Sequence, residues 1–182
     1  MKRMADMMLL LKNIVSHFVR ATCFVIAAGV LALGQSLPQI RLDAIELVPR
    51  PIEELTQTAI AHHYALAWQD MTAALDSGRT GKLSEEFVGF AKDRLMQRIG
   101  EQKQTGVHIR ILDHGHHLKA VFYSADGTAM QLIDQADLEI QIYDRGKLLD
   151  TQSAPHEYIV LMTPGADRWY VRDLEEIPPK SY

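Results

Sequence analysis

The hydrophobic period of the chain changes once, at Gly106, and that change restricts the architecture more than any other feature. Before it, Ile60, Tyr64, Ala67, Trp68, Met71 and Leu75 recur at spacings of three and four, the stripe of an amphipathic helix. This helix is expected from about Ile52 to Ser77, with Glu53 and Glu54 favourable in its first turn and Gly78 past its end. A second helix, from about Ser84 to Gln102, carries Phe87, Val88, Ala91, Leu95 and Ile99 on one side. After Gly106 the apolar residues alternate. Val107 to Asp113 and Leu118 to Tyr123 read as strands around a turn at Gly115. Further strands are expected from Ala129 to Tyr143, Lys147 to Met162 and Arg168 to Leu174, with Pro155 marking an edge or a bulge. Helices first and a meander of about five strands after them imply an α+β domain, two helices packed on a curved antiparallel sheet.

Ahead of that domain, Ala21 to Gly34 is a stretch of 14 residues without charge. Extended back to Ile14 it reaches 21 residues, interrupted by Ser16, His17 and Arg20, and approaches the ~20 needed to cross a bilayer. It reads as one N-terminal hydrophobic helix, an uncleaved anchor through residues 14–34. Ala32-Leu33-Gly34 has the small-x-small pattern of a signal-peptide site, so cleavage before Gln35 stays open, as does a buried soluble helix. Lys2, Arg3, Lys12 and Arg20 outweigh Asp6 before the segment, which keeps the N-terminus inside and sends the body outward. In a bacterium this describes a single-pass inner-membrane protein with a periplasmic C-terminal domain, or a secreted one after cleavage. The expected organisation is a leader with its anchor or signal over 1–34, a Pro-containing linker over 35–51, the α+β domain over 52–177 and a tail over 178–182.

Composition excludes some functions. The first 34 residues carry a net +3, which leaves −7 on the rest of a chain whose total is −4. An acidic body does not suit nucleic acid, whose binding needs a basic face. The single cysteine, Cys23, lies in the apolar segment, so the body holds no disulfide and no thiolate metal site.

Few residues suggest chemistry. Asp113-His114-Gly115-His116-His117 contains groups that can ligate zinc. Placed across an expected turn, it reads as a solvated hairpin tip, and no metal or cofactor is assigned. Asp134 stands out. On its strand Met130, Leu132, Ala136, Leu138, Ile140 and Ile142 share its parity, so strict alternation points a carboxylate into the apolar face. A β-bulge near Ile133-Asp134 is the first explanation. A structural buried hydrogen bond and a pocket acid with a raised pKa are the others. If a pocket exists, Asp134 would share it with His63, Tyr64, Trp68 and Trp169, although aromatic residues at helical spacing ordinarily form core.

Three blocks carry a family likeness: His63-Tyr-Ala-Leu-Ala-Trp68, Lys82 to Leu95, and Gly165-Ala-Asp-Arg-Trp-Tyr-Val-Arg-Asp-Leu174. In their order the chain resembles the nuclear-transport-factor-2-like superfamily, and the likeness spans roughly Ile52 to Ile177. It implies a cone of helices laid across a bent sheet. The short stretch Asp76 to Leu83 is similar to the membrane-associated branches, import-motor-like or secretion-component-like, rather than the enzymatic ones. No residue aligns with the catalytic tyrosines and aspartates of the enzymatic branches.

The expected function is therefore a non-catalytic, membrane-tethered interaction domain, an accessory or assembly subunit whose partners are other membrane-complex proteins. The alternative is an exported domain that binds a small ligand, or acts on one as an isomerase or hydratase, with Asp134 in its pocket.

Overall fold

The computed structural model describes residues 36–44, 47 and 49–178, which belong to one compact unit beginning at Ser36. The apolar segment and its expected helix lie outside the described residues. Among the described residues, no helix is long and apolar enough to cross a membrane.

Five strands form one open sheet in the order β1-β2-β3-β4-β5, with all the helices before β2 in sequence. The elements are β1 (Ile40–Asp43), α1 (Glu54–Ser77), α2 (Leu83–Glu86), α3 (Gly89–Thr105), β2 (Val107–Tyr123), β3 (Met130–Asp144), β4 (Lys147–Pro164) and β5 (Trp169–Glu176). The domain is α+β, as expected, but the sheet is mixed. β1 pairs with β2 in parallel, while the other neighbours are antiparallel. The fifth strand thus comes from the stretch read as a linker, where four residues are too few to show a period.

The expected turn at Gly115 does not form, and β2 runs unbroken from Val107 to Tyr123. Its pairing with β3 skips a residue between Asp113 and Gly115 and again between Ala120 and Phe122. His114 and Val121 are therefore bulged, and each bulge reverses the parity of the strand. Gly115 suits its place because its φ of 134° is unfavourable to a side chain, and a Cβ there would meet the Gln39 carbonyl oxygen at 3.4 Å. No bulge occurs at Ile133-Asp134; β3 keeps strict alternation through it, opposite Lys119 and Leu118.

The second expected helix is broken. Phe87 bridges to Val171, and the Val88 amide donates to the Val171 carbonyl at 3.0 Å, so the pair is extended between α2 and α3. A cross-link to β5 outcompetes helical continuity here, and it seats Phe87 in the core. Pro155 lies where β4 extends past the end of β5. The Ile177 amide donates to Glu157, so the backbone groups of β4 at odd positions face this free edge, where the missing N–H of proline breaks no ladder bond.

The α1 stripe, Ile60, Tyr64, Ala67, Trp68, Met71 and Leu75, is buried, as are Ala91, Leu95 and Ile99 of α3. They pack on Leu118, Leu132, Ala136, Leu138, Val160 and Met162 of the sheet. The alternate strand positions face away from the helices. There Phe122 is 41% and Ile159 39% exposed, next to half-buried Ile133 and Leu161.

Candidate functional site

The parity reversal at His114 builds the most unusual feature of the interior. Before the bulge Asp113 lies on the helix-facing side of β2; after it His116 does, opposite Ala136. Asp134 sits between Leu118 of β2 and Tyr158 of β4, with no exposed surface. Tyr64 comes down from α1, because positions 60, 64, 68 and 71 of a helix share one face.

These residues form one chain of hydrogen bonds. The Tyr64 hydroxyl donates to Asp134 Oδ2 at 2.7 Å, and His116 Nδ1 lies 2.8 Å from the same oxygen. His116 Nε2 is 2.9 Å from Asp113 Oδ2, while Asp113 Oδ1 accepts the Gly115 amide at 2.9 Å. An ionised carboxylate at each ring nitrogen requires both nitrogens to donate, which favours His116 as an imidazolium. Burial alone would lower its pKa, but the bonds to Asp113 and Asp134 overcome that and raise it to about 9. The Trp68 ring lies over the charge, 4.4 Å between centroids, adding a cation–π attraction. Burial first, and then the Asp134 charge, push the Tyr64 hydroxyl well above the ordinary phenol range. Tyr158 is raised too, by burial, then by Glu176 and Asp134.

The arrangement is a buried, mutually hydrogen-bonded cluster with one carboxylate oxygen left over. Tyr64 and His116 occupy one Asp134 oxygen, and the other, Oδ1, is buried without a partner. A cavity of about 310 Å³ lies along the bulge, lined by His114, His116, His117 and Asp137, and Asp134 does not line it. A cavity of about 160 Å³ lies on the far side of Trp68 and Tyr158, floored by Met71 and Leu95 and rimmed by Arg94 and Arg98. Asp134 does not line it. Arg94 pairs with Asp173, and the buried Trp68 indole N–H makes no hydrogen bond.

No protein-family model matches the chain, and no curated protein does either. Among solved structures it is similar to the crystal structure of the intermembrane space region of chloroplast protein ARC6, with a TM-score of 0.58 over 72% of this chain and 100% of that one. Sequence identity is 16%. The likeness is one of fold.

Of the five pocket residues named from sequence, Asp134 and Tyr64 are directly bonded, and Trp68 joins them through His116. The other two lie elsewhere. His63 Nδ1 is 3.2 Å from Glu86 Oε2, and Trp169 packs against Tyr123. Asp113 and His116 were missed because a turn was expected at Gly115. A signal was present: Val107, Ile109 and Ile111 are odd, whereas Leu118 and Ala120 are even, and a single strand can bury both sets only through a bulge. The histidine run is not a hairpin tip. His114 is exposed on the bulge, His116 is buried, and His117 Nε2 lies 2.8 Å from Asp43 Oδ2 of β1. Among the described residues, no group of three or more His, Cys, Asp or Glu side chains is placed to hold a metal ion.

Proposed function

We propose that this chain is a non-catalytic interaction domain, tethered to a membrane through residues 14–34 and serving as an accessory or assembly subunit of a membrane complex. The enclosure of Asp134 carries this reading. Asp134 lines neither cavity of the domain, and its partners Tyr64 and His116 are themselves buried. A second observation agrees: the sheet face away from the helices leaves Phe122 and Ile159 exposed beside Ile133 and Leu161, apolar surface suited to protein contact. The solved structure with a similar fold is itself an intermembrane space region, in keeping with a domain held outside a membrane. The placement we favour is a bacterial inner membrane with the domain on the periplasmic side. Membership of the nuclear-transport-factor-2-like superfamily, in an import-motor-like or secretion-component-like branch, belongs to the same proposal.

The cavity beside Trp68 favours a second reading, an exported domain binding a small apolar ligand. The Arg98 guanidinium at its rim would meet an acceptor on such a ligand. Arg98→Ala, at the rim of that cavity, separates the two, read on detergent-extracted full-length protein. The interaction reading expects stoichiometric co-purifying membrane proteins with wild type and variant alike. Recovery of the chain alone in the soluble fraction, or a variant that keeps its partners and loses a bound small molecule, would overturn it.

A further inference from the structure

The cluster around His116 has a consequence beyond partner binding. Three elements meet at this ring. Asp113 faces it from β2 itself, Asp134 from β3 and Tyr64 from α1, while Trp68 of α1 covers it. Tyr158 of β4 packs on Trp68, and the Gln39 carbonyl, just before β1, accepts the His116 backbone amide at 2.9 Å. Tyr158 and Tyr64 stay neutral through the neutral and mildly alkaline range, because burial pushes both upward. Asp113 and Asp134 are the two carboxylates in hydrogen-bond contact with the ring, and among the described residues no basic side chain but His116 bonds to either.

A neutral imidazole has one N–H. If His116 lost a proton, one ring nitrogen would present a lone pair to a carboxylate oxygen less than 3 Å away. Either the Asp113 end of the bulge or the Asp134–Tyr64 end would then have to move. We propose that the proton on His116 is a switch on the rigidity of the domain: while it is present, the bulge, β3 and α1 are clamped together, and its loss at alkaline pH releases the clamp. The switch stands whatever the domain binds.

The sign follows from linkage. The folded value, about 9, lies above the ordinary 6.5 of histidine, so the stabilisation is complete below 6.5 and is lost as pH rises through 9. One proton changes the unfolding equilibrium about tenfold per pH unit, hence up to roughly three-hundredfold across that window. The test is denaturant unfolding of the full-length chain in detergent at pH 6.5 and 9, with the nitrogen spectrum of His116 recorded at pH 7. Other groups titrate in this range, so the readout is the difference between wild type and variant. The expected result is two protonated ring nitrogens at pH 7 and a loss of stability toward pH 9 that His116→Gln abolishes. Asp113→Asn, at a partly exposed position, leaves one carboxylate on the ring and should move the loss to lower pH; it reports even if His116→Gln does not fold. A singly protonated ring at pH 7, a slope equal in wild type and His116→Gln, or a slope unmoved by Asp113→Asn would each overturn the proposal.

Discussion

Two acid–histidine pairs among the described residues contain a fully or nearly buried carboxylate, Asp134 and Glu86, and they take opposite charge states. At Asp134 the histidine has a carboxylate at each nitrogen, 2.8 and 2.9 Å away, and pairing outweighs burial. At Glu86 the carboxylate is only 3% exposed, yet its partners are looser: His63 at 3.2 Å and Arg168 at 3.6 Å. Burial wins there. It raises Glu86 to about 7 against the opposing Arg168 charge, with Asp70 and Glu85 adding to the rise. It also lowers His63 below the ordinary histidine value, so the second pair favours a neutral acid beside a neutral ring. Residue type therefore does not decide ionisation in this interior. The number and closeness of hydrogen bonds to the charged form do.

The largest effect should come from breaking the tighter pair. Asp134→Ala strands a buried imidazolium and a buried hydroxyl, and unfolding in denaturant should show a loss of about 3–5 kcal/mol. Tyr64→Phe removes a single bond to a charged oxygen; its cost should be about 1.5–3 kcal/mol, with the His116 protonation unchanged. An equal loss in the two variants would mean that the hydroxyl, not the ion pair, holds α1 to the sheet.

The looser pair should respond less and with the other sign. Because folding raises the Glu86 pKa, the folded form is favoured by acid, and stability falls as pH rises from 4.5 toward 7. Glu86→Gln keeps the shape and removes the ionisation. It should therefore be neutral near pH 5 and gain up to about 1 kcal/mol at pH 8, seen as a higher denaturation midpoint. A variant that is destabilised at pH 8 would show that the Arg168 contact outweighs burial after all. Smallest of all should be the stability change at the uncovered sheet face, where Ile159→Lys is expected to stay within about 0.5 kcal/mol of wild type.

What could be read in advance differs between these regions for a physical reason. The α1 stripe follows from an unbroken period of 3.6 and is found in the fold, whereas the period of 2 that aims Asp134 inward points first to a bulge that does not occur. The pairing partner of Asp134 was hidden, since His116 reaches the interior only through the bulge at His114, and Gly115 carries the same letter whether it turns a hairpin or lets β1 approach. Long-range competition hid other features. The break at Phe87-Val88 depends on Val171, more than eighty residues away, and β1 is defined only by its partner β2. Glu86 sits on a four-residue helix with no period of its own, so its burial could not be inferred locally.

The claim that this domain works through its outer surface and not through its buried carboxylate has a direct test. Full-length wild type, Ile159→Lys and Tyr64→Phe would be extracted in detergent, and the mass and composition of each species compared. The account predicts a complex with stoichiometric partner subunits that Tyr64→Phe retains and Ile159→Lys loses while remaining folded. A wild-type chain that migrates alone, or partners retained by Ile159→Lys and lost by Tyr64→Phe, would contradict it.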